Sequence, residues 1–171
     1  MKRAAADAEP DDTGELARLA VDLLTASGGT VAVAESLTGG LVTGALTSIA
    51  GASVVVRGGV VAYATELKAV LLGVPADLLA RRGPVDPDVA AAMAGGVRRL
   101  LGATYGLATT GVAGPGPADG KPPGTVFVAL AGRSDTGCDG LELVGNRQQV
   151  RDQTVRWALS MLVTALREDA T

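Results

Sequence analysis

The chain has 171 residues, of which 47% are hydrophobic, 19% charged and only 2% aromatic, with a formal net charge of -3. These values exclude a disordered chain, allow one domain with a core of Val, Leu, Ala and Ile, and offer neither a basic footprint nor stacking platforms for nucleic acid. Histidine is absent and Cys138 is the only cysteine, which excludes Ser-His-Asp and Cys-His catalysis, His- or thiolate-based metal sites and an intrachain disulfide.

Residues 1–13 are polar, small and acidic and read as a flexible tail. The basic start at Met1, Lys2 and Arg3 leads into acidic rather than apolar sequence, so no secretory leader is expected. No apolar run is long enough to span a bilayer, and one cysteine suits a reducing compartment. The expected location is the cytoplasm, without a membrane partner.

Leu16, Leu19, Ala20, Leu23 and Leu24 fall on one helical face, and Gly28 with Gly29 ends that helix. Residues 30–34 read as a buried strand that stops at Glu35 and Ser36. A turn at Thr38, Gly39 and Gly40 leads to a helix over 41–48. The strand predicted over 54–63 is interrupted by Arg57, Gly58 and Gly59, the signature of a bulge or a close backbone approach. A short helix follows over 66–72.

Asp86, Pro87 and Asp88 make a strong helix start, with Val89, Ala92, Met93, Gly96, Val97 and Leu100 on the apolar face. Residues 105–110 read as a strand running into a Gly-Pro loop over 111–116, and residues 125–131 as another buried strand. Residues 134–140, with Cys138, read as a polar loop, residues 141–144 as an edge strand, and residues 148–166 as the last helix. Strand and helix alternate, and the last two strands have no helix between them. The expected fold is therefore one three-layer α/β/α domain over 14–168, with a mixed, mostly parallel sheet of about five strands.

Ligands of open α/β sheets sit at the C-terminal ends of strands. Ser36, Tyr63, Thr110 and Gly111 lie at such ends. Ser36 either caps the helix that follows or presents a nucleophile beside backbone N–H groups, and one turn can do both. Without histidine, its activator must be Lys, Tyr or a carboxylate. Tyr63 and Lys68 supply that pair; the alternative is a core-edge tyrosine and a solvated lysine. The loop after Thr110 opens its backbone to a ligand, or is an ordinary Gly-Pro loop; it matches neither phosphate-loop nor dinucleotide patterns. Arg147 and Arg151, one helical turn apart, suit an anion, a surface or a subunit contact. Trp157 and Met161 suit packing or an interface.

Several of these segments together resemble the C-terminal domain of the CinA (competence/damage-inducible) family. They are AESLTGG at 34–40, RGGVVAYATELK at 57–68, LLGV at 71–74, TGVAGPG at 110–116, KPPGTV at 121–126 and GNR at 145–147, followed by Arg151. The resemblance covers residues 14–168 in family order. It implies hydrolysis of the carboxamide of nicotinamide mononucleotide to nicotinate mononucleotide and ammonia. It places the nucleophile at Ser36, with Lys68 and Tyr63 assisting, and substrate contacts at Glu35, Thr38, Gly39, Gly40, Thr65, Thr110, Gly111, Gly114 and Arg147. The amides around 38–40 are the expected oxyanion donors. It implies no metal and no organic cofactor, a small nucleotide as the partner, and a homo-oligomer, which the Ala- and Gly-rich helix faces also favour.

Some positions depart from the family pattern. Leu37 stands for a usual cysteine, Thr65 for an asparagine, Asp86 for a serine and Asn146 for an aspartate, and Pro117 and Ala118 interrupt a glycine-rich loop. Thr65 and the Pro117 loop lie where selectivity is set, so two alternatives stand beside the leading one: an amidase for another small amide, and a non-catalytic nucleotide-binding or regulatory module. The larger N-terminal domain of full-length members, linked to ADP-ribose pyrophosphatase activity, has no counterpart in these residues.

Overall fold

A computed structural model describes residues 12–170. Five strands, β1 (Val31–Glu35), β2 (Val56–Val61), β3 (Tyr105–Gly111), β4 (Thr125–Ala131) and β5 (Thr136–Glu142), form one sheet in the order β2-β1-β3-β4-β5. β1 runs parallel to both β2 and β3, while β4 is antiparallel to β3 and to β5. Four strands thus share a direction and β4 alone is reversed. The sequence expectation of a mixed α/β sheet holds.

The pleat of β1 divides the core. Val31 and Val33 face one layer with Leu107, Val126 and Val128, against α1 (Thr13–Ser27), α2 (Leu41–Thr47) and α6 (Arg147–Glu168). Ala32 and Ala34 face the other layer with Ala108 and Ala129, against α3 (Thr65–Leu72) and α5 (Pro87–Leu101). The alanine face lets a helix come close. A Cβ on Gly106 would stand 2.1 Å from the Ala94 carbonyl oxygen of α5, so this strand position admits only glycine.

Asp12 caps α1 by accepting from the Gly14 amide, so the helix begins inside the segment read as a tail; residues 1–11 lie outside the described residues. The break in β2 is a register shift opposite Val31 and Ala32, and it is also a close approach: a Cβ on Gly59 would meet Thr43 Oγ1 at 2.1 Å. Gly59 thus lets α2 lie close against the sheet through Thr43.

Two expectations need correction. The edge strand is Thr136–Glu142 rather than residues 141–144, so Cys138 belongs to β5 and not to a loop; burial pushes its thiol up to about 11, which leaves it unreactive at neutral pH. A further helix, α4 (Ala76–Arg82), also went unpredicted. It buries no residue, so no apolar stripe marks it in the sequence.

Candidate active site

The site forms where β1, β2 and β3 end together. Ser36 follows the last residue of β1, and its amide donates to the Thr109 carbonyl of β3 at 3.0 Å, holding it to the sheet. Its hydroxyl does not cap α2. That role falls to Gly40, and the helix amides are taken by Glu35. The Glu35 carboxylate, 0% exposed, accepts from the amides of Gly40 (2.9 Å), Val42 (3.1 Å) and Thr43 (2.8 Å) and from Thr43 Oγ1 (2.7 Å). A buried carboxylate is tolerated here because its lone pairs are satisfied by charge-assisted bonds, and the helix N-terminus favours the negative charge.

With Glu35 occupied, the Ser36 hydroxyl is left to Lys68. Lys68 lies in the first turns of α3, is 1% exposed, and places Nζ 3.1 Å from Ser36 Oγ and 2.8 Å from the Ala62 carbonyl oxygen. Among the described residues no carboxylate forms an ion pair with it. Burial holds the Lys68 ammonium below its ordinary value of 10.5, and the charges of Asp119 and Glu66 partly oppose that shift. A lysine so placed reaches its neutral, proton-accepting form more easily than a surface lysine.

These two residues open into a pocket of about 500 Å³, including its open mouth. Tyr63, Thr65, Thr110, Gly111 and Arg147 line it with them. Tyr63, 60% exposed, stands at the rim and not between Ser36 and Lys68; its hydroxyl accepts from Arg147 Nη2 at 3.0 Å. Arg147 also donates to the Gly114 carbonyl at 2.9 Å, so the start of α6 bridges two walls. The Thr110 hydroxyl is spent on the Pro84 carbonyl at 2.7 Å.

Glu35, Thr38, Gly39, Gly40 and Gly114 do not line the pocket; the first four build the turn that carries Ser36. The Gly39 amide donates to the Ser36 carbonyl and the Gly40 amide to Glu35, so neither matches the expected oxyanion donor. Thr38 Oγ1 pairs with Thr109 Oγ1 at 2.8 Å. Arg151 turns inward, away from the surface role that its position allowed, and binds the carbonyls of Leu37 and Thr38.

Sequence reasoning assigned no site role to five wall residues: Pro84 and Val85, ahead of the α5 cap, Asp119 in the Pro117 loop, and Leu37 and Ala113, which lie inside the segments at 34–40 and 110–116. The first two carry a signal, since they precede a strong N-cap at a strand-end level. Asp119 carries none. It adopts a left-handed backbone (φ 51°) and is the pocket's only carboxylate among the described lining residues. No three Cys, Asp or Glu side chains among the described residues gather as a metal site, and no described helix is long and apolar enough to cross a membrane.

Comparison with known proteins identifies the family of the chain. Residues 13–166 match the model of the CinA C-terminal domain. A CinA-like protein of Frankia casuarinae is 54% identical over 140 residues, covering 82% of this chain and 32% of the relative. A putative competence-damage inducible protein of Desulforamulus reducens is 46% identical over 88% of the chain and 37% of its own length. The chain thus spans about a third of the curated relatives it matches. Among solved structures, a CinA superfamily protein of Klebsiella pneumoniae superposes with a TM-score of 0.89 at 33% identity, covering 92% of this chain and 99% of that one. A competence/damage inducible protein of Agrobacterium tumefaciens gives 0.87 at 39% identity, with 95% and 99% covered. On the matched model, the identities and the shared fold, the chain belongs to the CinA C-terminal domain family.

Proposed function

We propose that this domain hydrolyses the carboxamide of nicotinamide mononucleotide to nicotinate mononucleotide and ammonia, through an acyl-enzyme on Ser36. The observation that carries the reading is the buried Lys68 Nζ, 3.1 Å from Ser36 Oγ, with no ion-pair partner among the described residues. One N–H of the neutral amine stays on the Ala62 carbonyl, which leaves its lone pair for the serine proton.

The steps follow from that contact. Lys68 takes the Ser36 proton as Oγ bonds to the amide carbon. The tetrahedral oxyanion collapses, the C–N bond breaks, and the Lys68 ammonium returns its proton to the departing nitrogen, which leaves as ammonia. Lys68, neutral again, takes a proton from water as that water attacks the acyl carbon. Ser36 departs with the proton and the carboxylate is released. Arg147, at the mouth, is the cation for the nucleotide phosphate, while Thr65 and Gly111 lie against the rest of the substrate.

The test is ammonia release from nicotinamide mononucleotide by the purified protein, with nicotinate mononucleotide identified as the co-product. Release from a simple amide such as benzamide, with none from the nucleotide, would reassign the substrate. No release from any amide would favour the binding-module reading.

A further inference from the structure

The turn after Ser36 has an unusual hydrogen-bond pattern. Its first three carbonyls are held: Ser36 O by the Gly39 amide (3.1 Å), Leu37 O by Arg151 Nε (3.0 Å), and Thr38 O by Arg151 Nη2 (3.1 Å) and the Leu41 amide (3.2 Å). The amides divide differently. Those of Gly39 and Gly40 are engaged, while those of Leu37 and Thr38 donate to no group among the described residues. Both residues are buried, at 4% and 0% exposure, and buried N–H groups are rarely left without an acceptor.

Peptide planarity links the two facts. In a trans peptide the C=O of one residue and the N–H of the next point in opposite directions. Arg151 Nε, by holding Leu37 O toward α6, fixes the Thr38 N–H in the opposite direction. Its Nη2 fixes the next plane, whose N–H closes the turn on Ser36 O. The third contact of the guanidinium, Nη1 to Gln148 Oε1 at 3.0 Å, braces it against its own helix. A lysine in its place would reach one carbonyl at a time, without the planar fork.

We infer that the Leu37 and Thr38 amides are the oxyanion donors of this site, and that Arg151 is the positioning residue: it fixes the Thr38 amide through Leu37 O, and the Leu37 amide through Thr38 O, whose partner amide on Gly39 holds Ser36 O. This rests on the acyl-transfer reading of Ser36. Arg151 does not touch the substrate; it acts through the backbone, 114 residues away in sequence. The donors serve only once Oγ has added and the carbonyl oxygen carries charge, so losing their orientation slows the chemical step more than it weakens binding.

The experiment compares wild type, Arg151→Met and Arg151→Lys on nicotinamide mononucleotide. Loss of an aimed donor predicts that kcat falls about 10²-fold in Arg151→Met and roughly 10-fold in Arg151→Lys, with KM within about 3-fold of wild type. The pH at which the rate rises, set by Lys68, does not move. A second measurement needs no variant. The 3-formylpyridine analogue of the nucleotide accepts Ser36 Oγ at its aldehyde carbon, the serine proton passing to Lys68 and the oxygen becoming the hemiacetal oxyanion. The Leu37 and Thr38 amide protons of wild type then shift downfield in 1H–15N spectra, and the analogue binds Arg151→Met more weakly.

Unchanged kcat in a folded Arg151→Met, a loss confined to KM, or unmoved Leu37 and Thr38 resonances with the adduct formed would each overturn the inference. Failure of wild type to release ammonia, or to form the adduct, would instead defeat the acyl-transfer reading on which it rests.

Discussion

Lys68 Nζ lies 3.1 Å from Ser36 Oγ, and the lysine meets that serine with its side chain almost wholly buried. In the charged lysine the bond runs from Nζ to Oγ; once the proton has left, the same contact runs from the hydroxyl to the amine. The pairing therefore stores both halves of a proton transfer in one geometry, and burial sets the pH at which it works.

The base form of Lys68 is the one without its proton, so kcat/KM rises with pH through the Lys68 pKa. Burial holds that pKa below 10.5, so the midpoint of the rise lies below pH 10.5. Asp119 opposes the shift, and removing its charge moves the rise to lower pH. In pH-rate profiles, Asp119→Asn is expected to move the limb toward acid, and Glu66→Gln to move it the same way by less. A limb that stays in place in Asp119→Asn would remove that carboxylate from the account.

The same burial costs stability. Between the lowered folded value and 10.5 the unfolded chain binds the Lys68 proton and the folded chain does not, so stability rises with pH across that window. The penalty is full below the folded value and absent above 10.5. Lys68→Met removes a desolvated ammonium from a buried position. It is expected to raise the melting temperature at pH 7, by an amount that shrinks as pH approaches 10.5, while ammonia release falls about 10³-fold. A variant less stable at every pH would show that the Ala62 bond outweighs desolvation.

Tyr63 bonds to Arg147 and not to Lys68, which separates binding from chemistry. Arg147→Met is expected to raise KM for the nucleotide about 10-fold or more, with kcat changed less, since a hydrogen bond to a charged group contributes about 1.5–3 kcal/mol. Nicotinamide riboside, without the phosphate, is expected to feel the change far less. Tyr63→Phe frees Arg147 and is expected to leave kcat within about 5-fold of wild type. A loss near that of Lys68→Met would make Tyr63 a proton relay instead.

Glu35 holds the first turn of α2 by four hydrogen bonds. Glu35→Gln puts an N–H2 against amides that need an acceptor. The expected cost is about 2–3 kcal/mol in chemical unfolding, with a parallel loss of turnover as the Ser36 turn shifts. Wild-type stability in this variant would show that the turn does not depend on the carboxylate.

Much of this site was legible in the sequence because its residues stand where strands end. The apolar run into Ser36, the strand into Tyr63 and the following Lys68, and the strand into Thr110 each place a side chain at one level of the sheet, and the absence of histidine left Lys68 as the simplest base. The roles of Glu35 and Arg151 were not legible. Glu35 bonds to residues five to eight positions on, which only the left-handed Gly40 turn brings back. Arg151 reaches Leu37 and Thr38 across 113–114 residues, a contact set by how α6 lies on the sheet. The edge strand was expected too late, at 141–144, because the start of β5, with exposed positions such as Gly137 and Gly140, shows no apolar alternation.

The proposed reaction stands on Ser36 as nucleophile and Lys68 as its base. The most direct measurement is steady-state ammonia release from nicotinamide mononucleotide by wild type and by Ser36→Ala, at equal protein concentration and at the pH of the wild-type plateau. Wild type is expected to turn over, and Ser36→Ala to lose about 10³-fold or more, as for removal of a nucleophile. Turnover by Ser36→Ala equal to that of wild type would contradict it.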